Sequence, residues 1–228
     1  MKSIFRYTLY ALVSVFAITA LVVLIFRWVP VPFSSVMAQR QIEAFFTDEP
    51  YVEYVWYSWD EISPHMGISV IASEDQNFPN HYGFDVKAIQ KAMDEAKDGG
   101  RSRGASTISQ QVAKNMFLWS GRSWIRKGLE VYFTLLIETL WSKKRILEVY
   151  VNIAEMGPNV FGVGAASLKY YGREPSKISR LQAATLAASL PNPRRYKVKN
   201  PSNYMKSRRG WIMRQSNQLG GTALLEQL

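Results

Sequence analysis

Eighteen consecutive residues from Leu9 to Phe26, LYALVSVFAITALVVLIF, carry no charge, and only Ser14 and Thr19 among them are mildly polar. At 1.5 Å per residue such a run nearly crosses a hydrocarbon core, so the pattern predicts one transmembrane helix, bounded at 9–29. A cleaved signal peptide fits less well. The run exceeds the usual apolar region of such a peptide, and Arg27, Trp28 and Pro30 follow it in place of a small-x-small cleavage site. Lys2 and Arg6 precede the run. Residues 1–8 are therefore expected on the cytoplasmic side and residues 30–228 on the exported side.

Beyond a Pro-punctuated connector, RWVPVPFSS, the polar and apolar positions recur almost throughout at helical spacing. Ser63-Pro64 reads as an N-cap with proline at the first helical position, leading through MGISVIAS to Glu74. Val86, Ile89 and Met93 mark a helix over 84–98, stopped by Gly99-Gly100. Ser123 and Ser142 read as caps of two further helices, the first with Leu129, Phe133, Leu136, Ile137 and Leu140 on one stripe. Gly157-Pro158 breaks the second. More helices are expected over 165–171, 181–190 and 204–219, and only 51–59, YVEYVWYSW, hints at a strand. The expectation is one mainly α domain on an N-terminal membrane anchor.

Composition sharpens this picture. The 228 residues include no cysteine, so no disulfide staples the exported part and no thiolate acts in it. The net charge of +10 calls for an anionic partner. Nucleic acid is seldom met by an exported, tethered chain, which leaves lipid headgroups or a phosphorylated substrate. The charge is uneven: nine Lys or Arg against two Glu between Arg101 and Arg145, and eight against no acid between Arg194 and Arg214. Beside a bilayer, a basic face of this kind is drawn to anionic lipid.

Three stretches carry candidate chemistry. In SEDQNFPNHYGFD, residues 73–85, adjacent carboxylates Glu74 and Asp75 precede Phe78, His81 and the turn residue Gly83. In GASTISQQVAKN, residues 104–115, helical spacing puts Thr107, Gln111 and Lys114 on one face, a polar stripe that by itself is as easily solvent-exposed as functional. In NMFLWSGRSWIRKGLE, residues 115–130, large apolar residues alternate with Arg122, Arg126 and Lys127, which suits a surface entering the lipid interface. Glu130 follows Arg126 by four residues and Lys127 by three, an ordinary helical ion pair taken alone. Read with Glu74, it supplies the second carboxyl that chemistry at a sugar's anomeric carbon commonly uses. Glu148, on the helix ending near Asn152, is read as structural.

The ordered series Glu74-Asp75-x-x-Phe78-x-x-His81-x-Gly83-x-Asp85, Gly104-x-Ser106-Thr107-Ile108-x-Gln110-Gln111-x-x-Lys114-Asn115, Arg126-Lys127-x-x-Glu130, and Arg145-Ile146-x-Glu148-x-Tyr150-x-Asn152 with Gly157 resembles the first four motifs of the peptidoglycan glycosyltransferases. AATLAASLPNP, 183–193, is a looser fifth, with Leu181-Gln182 where an acidic residue often stands. That family includes the glycosyltransferase modules of class A penicillin-binding proteins and stand-alone enzymes. No transpeptidase domain follows here, so the chain resembles the monofunctional members.

The resemblance implies a lysozyme-like, mainly helical glycosyltransferase domain with a small membrane-contacting lobe, for which 115–127 is the candidate. It implies polymerisation of lipid II, a disaccharide-pentapeptide on undecaprenyl pyrophosphate, onto the growing glycan chain with inversion at C1. By that analogy Glu74 is the general base and Glu130 the second key carboxyl. Lys114, Arg122, Arg126 and Lys127 face the pyrophosphate, Thr107, Gln111 and Asn115 hold sugar or phosphate oxygens, and Asp75, Phe78 and His81 complete the substrate site. No organic cofactor is implied; a divalent cation, magnesium or manganese, is allowed at the pyrophosphate. The implied setting is a bacterial inner membrane with the catalytic domain in the periplasm, among other cell-wall synthesis or division proteins. A membrane-anchored glycan hydrolase and a catalytically silent scaffold remain as alternatives from other classes.

Overall fold

The computed structural model describes residues 2–97, 106–121 and 123–228. The chain begins with helix α1, Lys2–Ile25, whose apolar span Ser3–Ile25 covers 23 residues, about 35 Å at the α-helical rise. The helix continues unbroken through residues 2–8, since KSIFRYT holds no breaker, and gives way to a turn at 26–28 ahead of Pro30. Helix α2, Ser35–Phe45, follows directly, its first turn capped by the Ser34 hydroxyl.

A short strand β1, Glu53–Tyr54, and a 3-10 turn at Trp59–Glu61 lead to helix α3, Pro64–Glu74. Proline opens α3 as expected, although the Ser63 side chain makes no capping bond. Seven consecutive residues of α3, Met66–Ala72, are buried, which marks it as the central helix that neighbours cover on every side. Helices α4, Val86–Lys97, α5, Ile108–Phe117, α6, Trp124–Leu140, and α7, Lys143–Ile153, come next. The Ser123 and Ser142 hydroxyls accept from the amides of Arg126 and Arg145, the two caps expected from sequence.

Strands β2, Glu155–Gly157, and β3, Val160–Phe161, complete a small sheet of order β1-β3-β2, with β1 parallel and β2 antiparallel to β3. Then follow helices α8, Gly162–Tyr171, α9, Arg180–Ser189, and α10, Asn203–Gln218. Gly162 joins sheet to helix at φ +77°, where an added Cβ would lie 2.2 Å from the Asn152 carbonyl oxygen. Only glycine fits there. The architecture is thus mainly α, with α3 packed against α7, α9 and α10 and with α5 wedged between α6 and α7. Ala72 meets Ala184, Ala187 and Ala188 of α9 in an apolar cluster, so small side chains let α3 and α9 approach closely.

The anchor is docked on this body. The Thr19 and Tyr132 hydroxyls lie 2.6 Å apart, the Trp141 indole donates to the Val23 carbonyl at 2.8 Å, and Val23 is fully buried. The Arg145 guanidinium donates to the Phe26 and Val29 carbonyls, covering acceptors that the end of α1 leaves open. Helix α6 therefore runs alongside the membrane helix. Its first residues, Trp124 and Ile125, are 92% and 75% exposed, and Trp119, nearby in sequence, is 46% exposed.

Candidate active site

Glu74 is the last residue of α3, and Gln111 stands one helical turn before Lys114 and Asn115 on α5. The Gln111 amide donates to Glu74 Oε2 at 3.2 Å, and its carbonyl accepts from the buried Tyr150 hydroxyl at 3.1 Å. Ser73 holds the other oxygen, its hydroxyl donating to Glu74 Oε1 at 2.9 Å. Glu74 is thereby aimed by two neighbours rather than left to rotate. Burial, with help from the charges of Glu74 and Asp75, pushes the Tyr150 phenol well above its ordinary range, so it stays a neutral donor.

Two hollows meet at Gln111 and Pro191. The first, about 440 Å³, is lined by Arg40, Gln111, Lys114, Asn115, Arg126 and Glu155, among others. The second, about 780 Å³, holds Glu74, Ser106 and Gln111 on one wall and α10 on the other. Along α5 the order is therefore cation, amide, carboxylate. Lys114 is held below the usual lysine range, chiefly by burial; Glu130 and Glu74 pull it up, while Arg126 and Lys127 push it further down. A half-buried amine among like charges is poised to receive an anion.

Glu130 is 4% exposed and supplies one oxygen to Arg126 Nη1 at 3.0 Å and the other to the Lys127 amine. Each of its oxygens meets a cation, so Glu130 holds the guanidinium and ammonium groups in place. Among the described residues no group of three carboxylate or imidazole side chains is arranged to hold a metal ion. Glu130 is engaged by Arg126 and Lys127, while Glu155 and Glu74 line separate hollows, so among the described residues the carboxylates about the cations do not gather into a three-ligand set.

Several residues expected at the substrate belong instead to the support beneath α5. Asp75 is 8% exposed; its carboxylate accepts from the His81 imidazole at 2.9 Å and from the Ile108 amide at 3.0 Å. Thr107 does not extend the polar stripe of α5. It is the N-cap, its hydroxyl accepting from the Gln110 amide and donating to the Gly83 carbonyl at 2.7 Å, and it is 2% exposed. Phe78 is fully buried under the Lys143 ammonium, 4.7 Å from the ring centroid. Gly83, at φ +79°, passes so close to α6 that a Cβ would meet Thr134 at 2.8 Å. His81, Asp75, Gly83, Thr107 and Phe78 thus fix the start of α5 against α3 and α6; none lines the two hollows above, while Asp75 and Thr107 line a smaller one, about 240 Å³, that adjoins the second at Glu74 and Ser106.

Gln111, Lys114, Asn115 and Arg126 line the first hollow together, and Lys127 joins through Glu130. Arg122, and with it Gly104 of the second motif, lies outside the described residues. Glu148 and Asn152 are structural: Glu148 accepts from the Trp59 amide, and Asn152 exchanges hydrogen bonds with the backbone of Tyr57. Sequence reasoning missed Arg40 and Glu155, which face Lys114 across the first hollow; burial holds the Glu155 carboxyl above its ordinary range. It also missed Arg208, which donates to the Ser73 carbonyl at 3.2 Å. The acid-free basic run over 194–214 was the available signal for Arg208. Arg40, a lone cation on an amphipathic helix, gave none.

Comparison with known proteins places this geometry. The family described as Transglycosylase matches residues 39–217. The chain is 55% identical to a biosynthetic peptidoglycan transglycosylase of Cronobacter sakazakii, over 97% of this chain and 93% of the relative. It is 53% identical to one of Escherichia coli, over 97% of both chains.

Proposed function

The chain belongs to the transglycosylase family, and on that premise we propose that it is a peptidoglycan glycosyltransferase that joins lipid II units into glycan strands. The observation that carries this reading is the line Glu74, Gln111, Lys114 along one trough, a positioned carboxylate at one end and a cation cluster at the other. A hydrolase of the same lysozyme-like fold has no use for the cations. A silent scaffold has no use for the aimed carboxylate.

The chemistry follows from that order. The 4-hydroxyl of the acceptor sugar attacks C1 of the lipid-linked chain while Glu74 takes its proton. The new C1–O4 bond forms as the C1–pyrophosphate bond breaks on the opposite face, and the configuration inverts. Negative charge grows on the departing pyrophosphate, where Lys114 and Arg126 stand preorganised, with Lys127 drawn in by Glu130. Gln111 and Asn115 offer amides to sugar or phosphate oxygens. A divalent cation, if bound there, would offset charge on the pyrophosphate, and no step here depends on one.

The apolar helix α1 anchors the protein in a membrane. Its flanking charges support a cytoplasmic amino terminus and a periplasmic domain over 30–228, on the inner membrane. The docking of α1 along α6 brings the cation cluster close to the bilayer, where a lipid-linked substrate lies. The protein partners that direct strand synthesis are other cell-wall or division proteins. The test is direct: the purified full-length protein, given labelled lipid II in detergent or vesicles, releases undecaprenyl pyrophosphate and forms polymeric glycan. Cleavage of preformed glycan without lipid II turnover would replace this reading by hydrolysis.

A further inference from the structure

The second hollow is larger than the first, and its α10 wall carries chemistry that the polymerisation step leaves unused. Its outer wall is α10, which presents Tyr204, Arg208, Trp211 and Arg214. Arg208 stacks on Trp211 with its guanidinium carbon 5.0 Å from the ring centroid. Its Nε is buried with no partner. Tyr204 is 52% exposed and stacks on Tyr196, and Arg214 is exposed. Among the described residues neither Arg208 nor Arg214 forms an ion pair. Among the described residues the only acid lining the hollow is Glu74, and the stretch 194–214 holds eight cations and no acid.

We propose that the α10 hollow binds the carboxylates of the peptide borne by the incoming acceptor, with Arg214 and Arg208 as the charged contacts and Tyr204 and Trp211 as faces for sugar or peptide. This rests on the functional reading above. Inversion requires the attacking hydroxyl to approach from the side opposite the pyrophosphate. The pyrophosphate belongs at Lys114, so the acceptor lies past Glu74, where the α10 hollow opens. A peptide attached to a sugar through its amino end keeps its terminal carboxylate, and a planar guanidinium matches such a group. Arg208 has a second task, since it holds Ser73 and through it the Glu74 carboxyl. Arg214 has none and is the cleaner probe.

The experiment uses the full-length protein with a preformed lipid-linked glycan as donor and lipid II as acceptor, the peptide carboxylates being free or amidated on either one. Amidating the acceptor is expected to raise its KM about tenfold for the wild type, the worth of one charge-assisted hydrogen bond. Arg214→Gln should raise the KM of the unmodified acceptor by a similar factor and respond little to amidation, with kcat preserved. Arg214→Lys should restore most of the affinity. Equal KM values for free and amidated acceptors in the wild type would overturn the site. So would a loss that follows amidation of the donor chain instead. A wild type that polymerises neither form would overturn the functional reading first, and this site with it.

Discussion

Gln111 ties the Glu74 carboxylate to the Tyr150 hydroxyl, accepting from the phenol at 3.1 Å and donating to the acid at 3.2 Å. Tyr150 is 1% exposed, so its hydroxyl has little chance of finding water in place of Gln111. Gln111→Leu strips both bonds at once. The orphaned phenol should cost about 1–3 kcal/mol of stability, and the freed carboxylate should lower kcat roughly tenfold or more. Thermal melting and lipid II turnover, measured on one preparation, read the two effects separately. An unchanged kcat would mean that Ser73 alone aims the acid.

Glu74→Gln keeps the shape of the side chain and its contact with Gln111, and removes only the capacity to take a proton. Polymerisation should fall by about 10²–10⁴-fold, the range of general-base contributions, with the circular dichroism spectrum intact. Residual turnover within tenfold of the wild type would assign the base elsewhere.

Lys114 is the titrating member of the cation cluster. Burial holds its amine below the ordinary lysine range, so its charge is lost on the alkaline side sooner than that of an exposed lysine. Activity should fall as pH rises through that depressed value, and Lys114→Arg, which stays charged, should move the alkaline limb upward. The stability sign is opposite to the catalytic one. The folded state disfavours the charged amine, so the penalty is present at neutral pH and is relieved as pH rises past the folded value. Lys114→Met should therefore melt a few degrees higher at pH 7 while losing polymerisation, the trade expected at a functional site. A lower melting temperature would show that Glu130 and Glu74 compensate the burial in full.

The helices were legible wherever apolar spacing and caps agreed. Ser123 and Ser142 start α6 and α7 because serine oxygen satisfies an amide that the helix leaves open. Thr107 was misread for an instructive reason. T-I-S-Q and S-R-L-Q, at 107–110 and 179–182, both fit the capping-box pattern, and both form it. Helical periodicity counted Thr107 on the polar stripe, whereas the cap geometry turns it inward. The sheet was nearly invisible, since strands of two or three residues leave no room for alternation. Of the trough, the α3 and α5 walls were readable from local motifs. The α10 wall begins 86 residues after the end of α5, and only packing of α10 on α3 and α9 brings it there.

His81 and Asp75 should separate stability from catalysis. Their side chains are 5% and 4% exposed, and the Asp75 carboxylate is the joint between His81 and the first amide of α5. His81→Ala removes a hydrogen bond to a charged group, worth about 1.5–3 kcal/mol, and leaves a small cavity beside Phe78. The melting temperature should drop by several degrees with KM for lipid II nearly unchanged. A large rise in KM at constant stability would restore His81 to the substrate site.

Trp124 tests the membrane contact. At 92% exposure an indole at the start of α6 has no partner within the described fold, and α6 lies along the membrane helix through Thr19–Tyr132 and Val23–Trp141. A tryptophan in that position belongs in the interface between headgroups and acyl chains, where its apolar body and polar N–H are both served. In proteoliposomes containing lipids brominated near the headgroup end of the acyl chains, the full-length protein should show tryptophan quenching that Trp124→Ser reduces. Trp211→Phe, on the α10 side of the trough, should leave the quenched fraction as large as before. If Trp124→Ser changes nothing, the start of α6 stands in water, and the cation cluster would have to draw its lipid-linked substrate out of the bilayer rather than meet it at the surface.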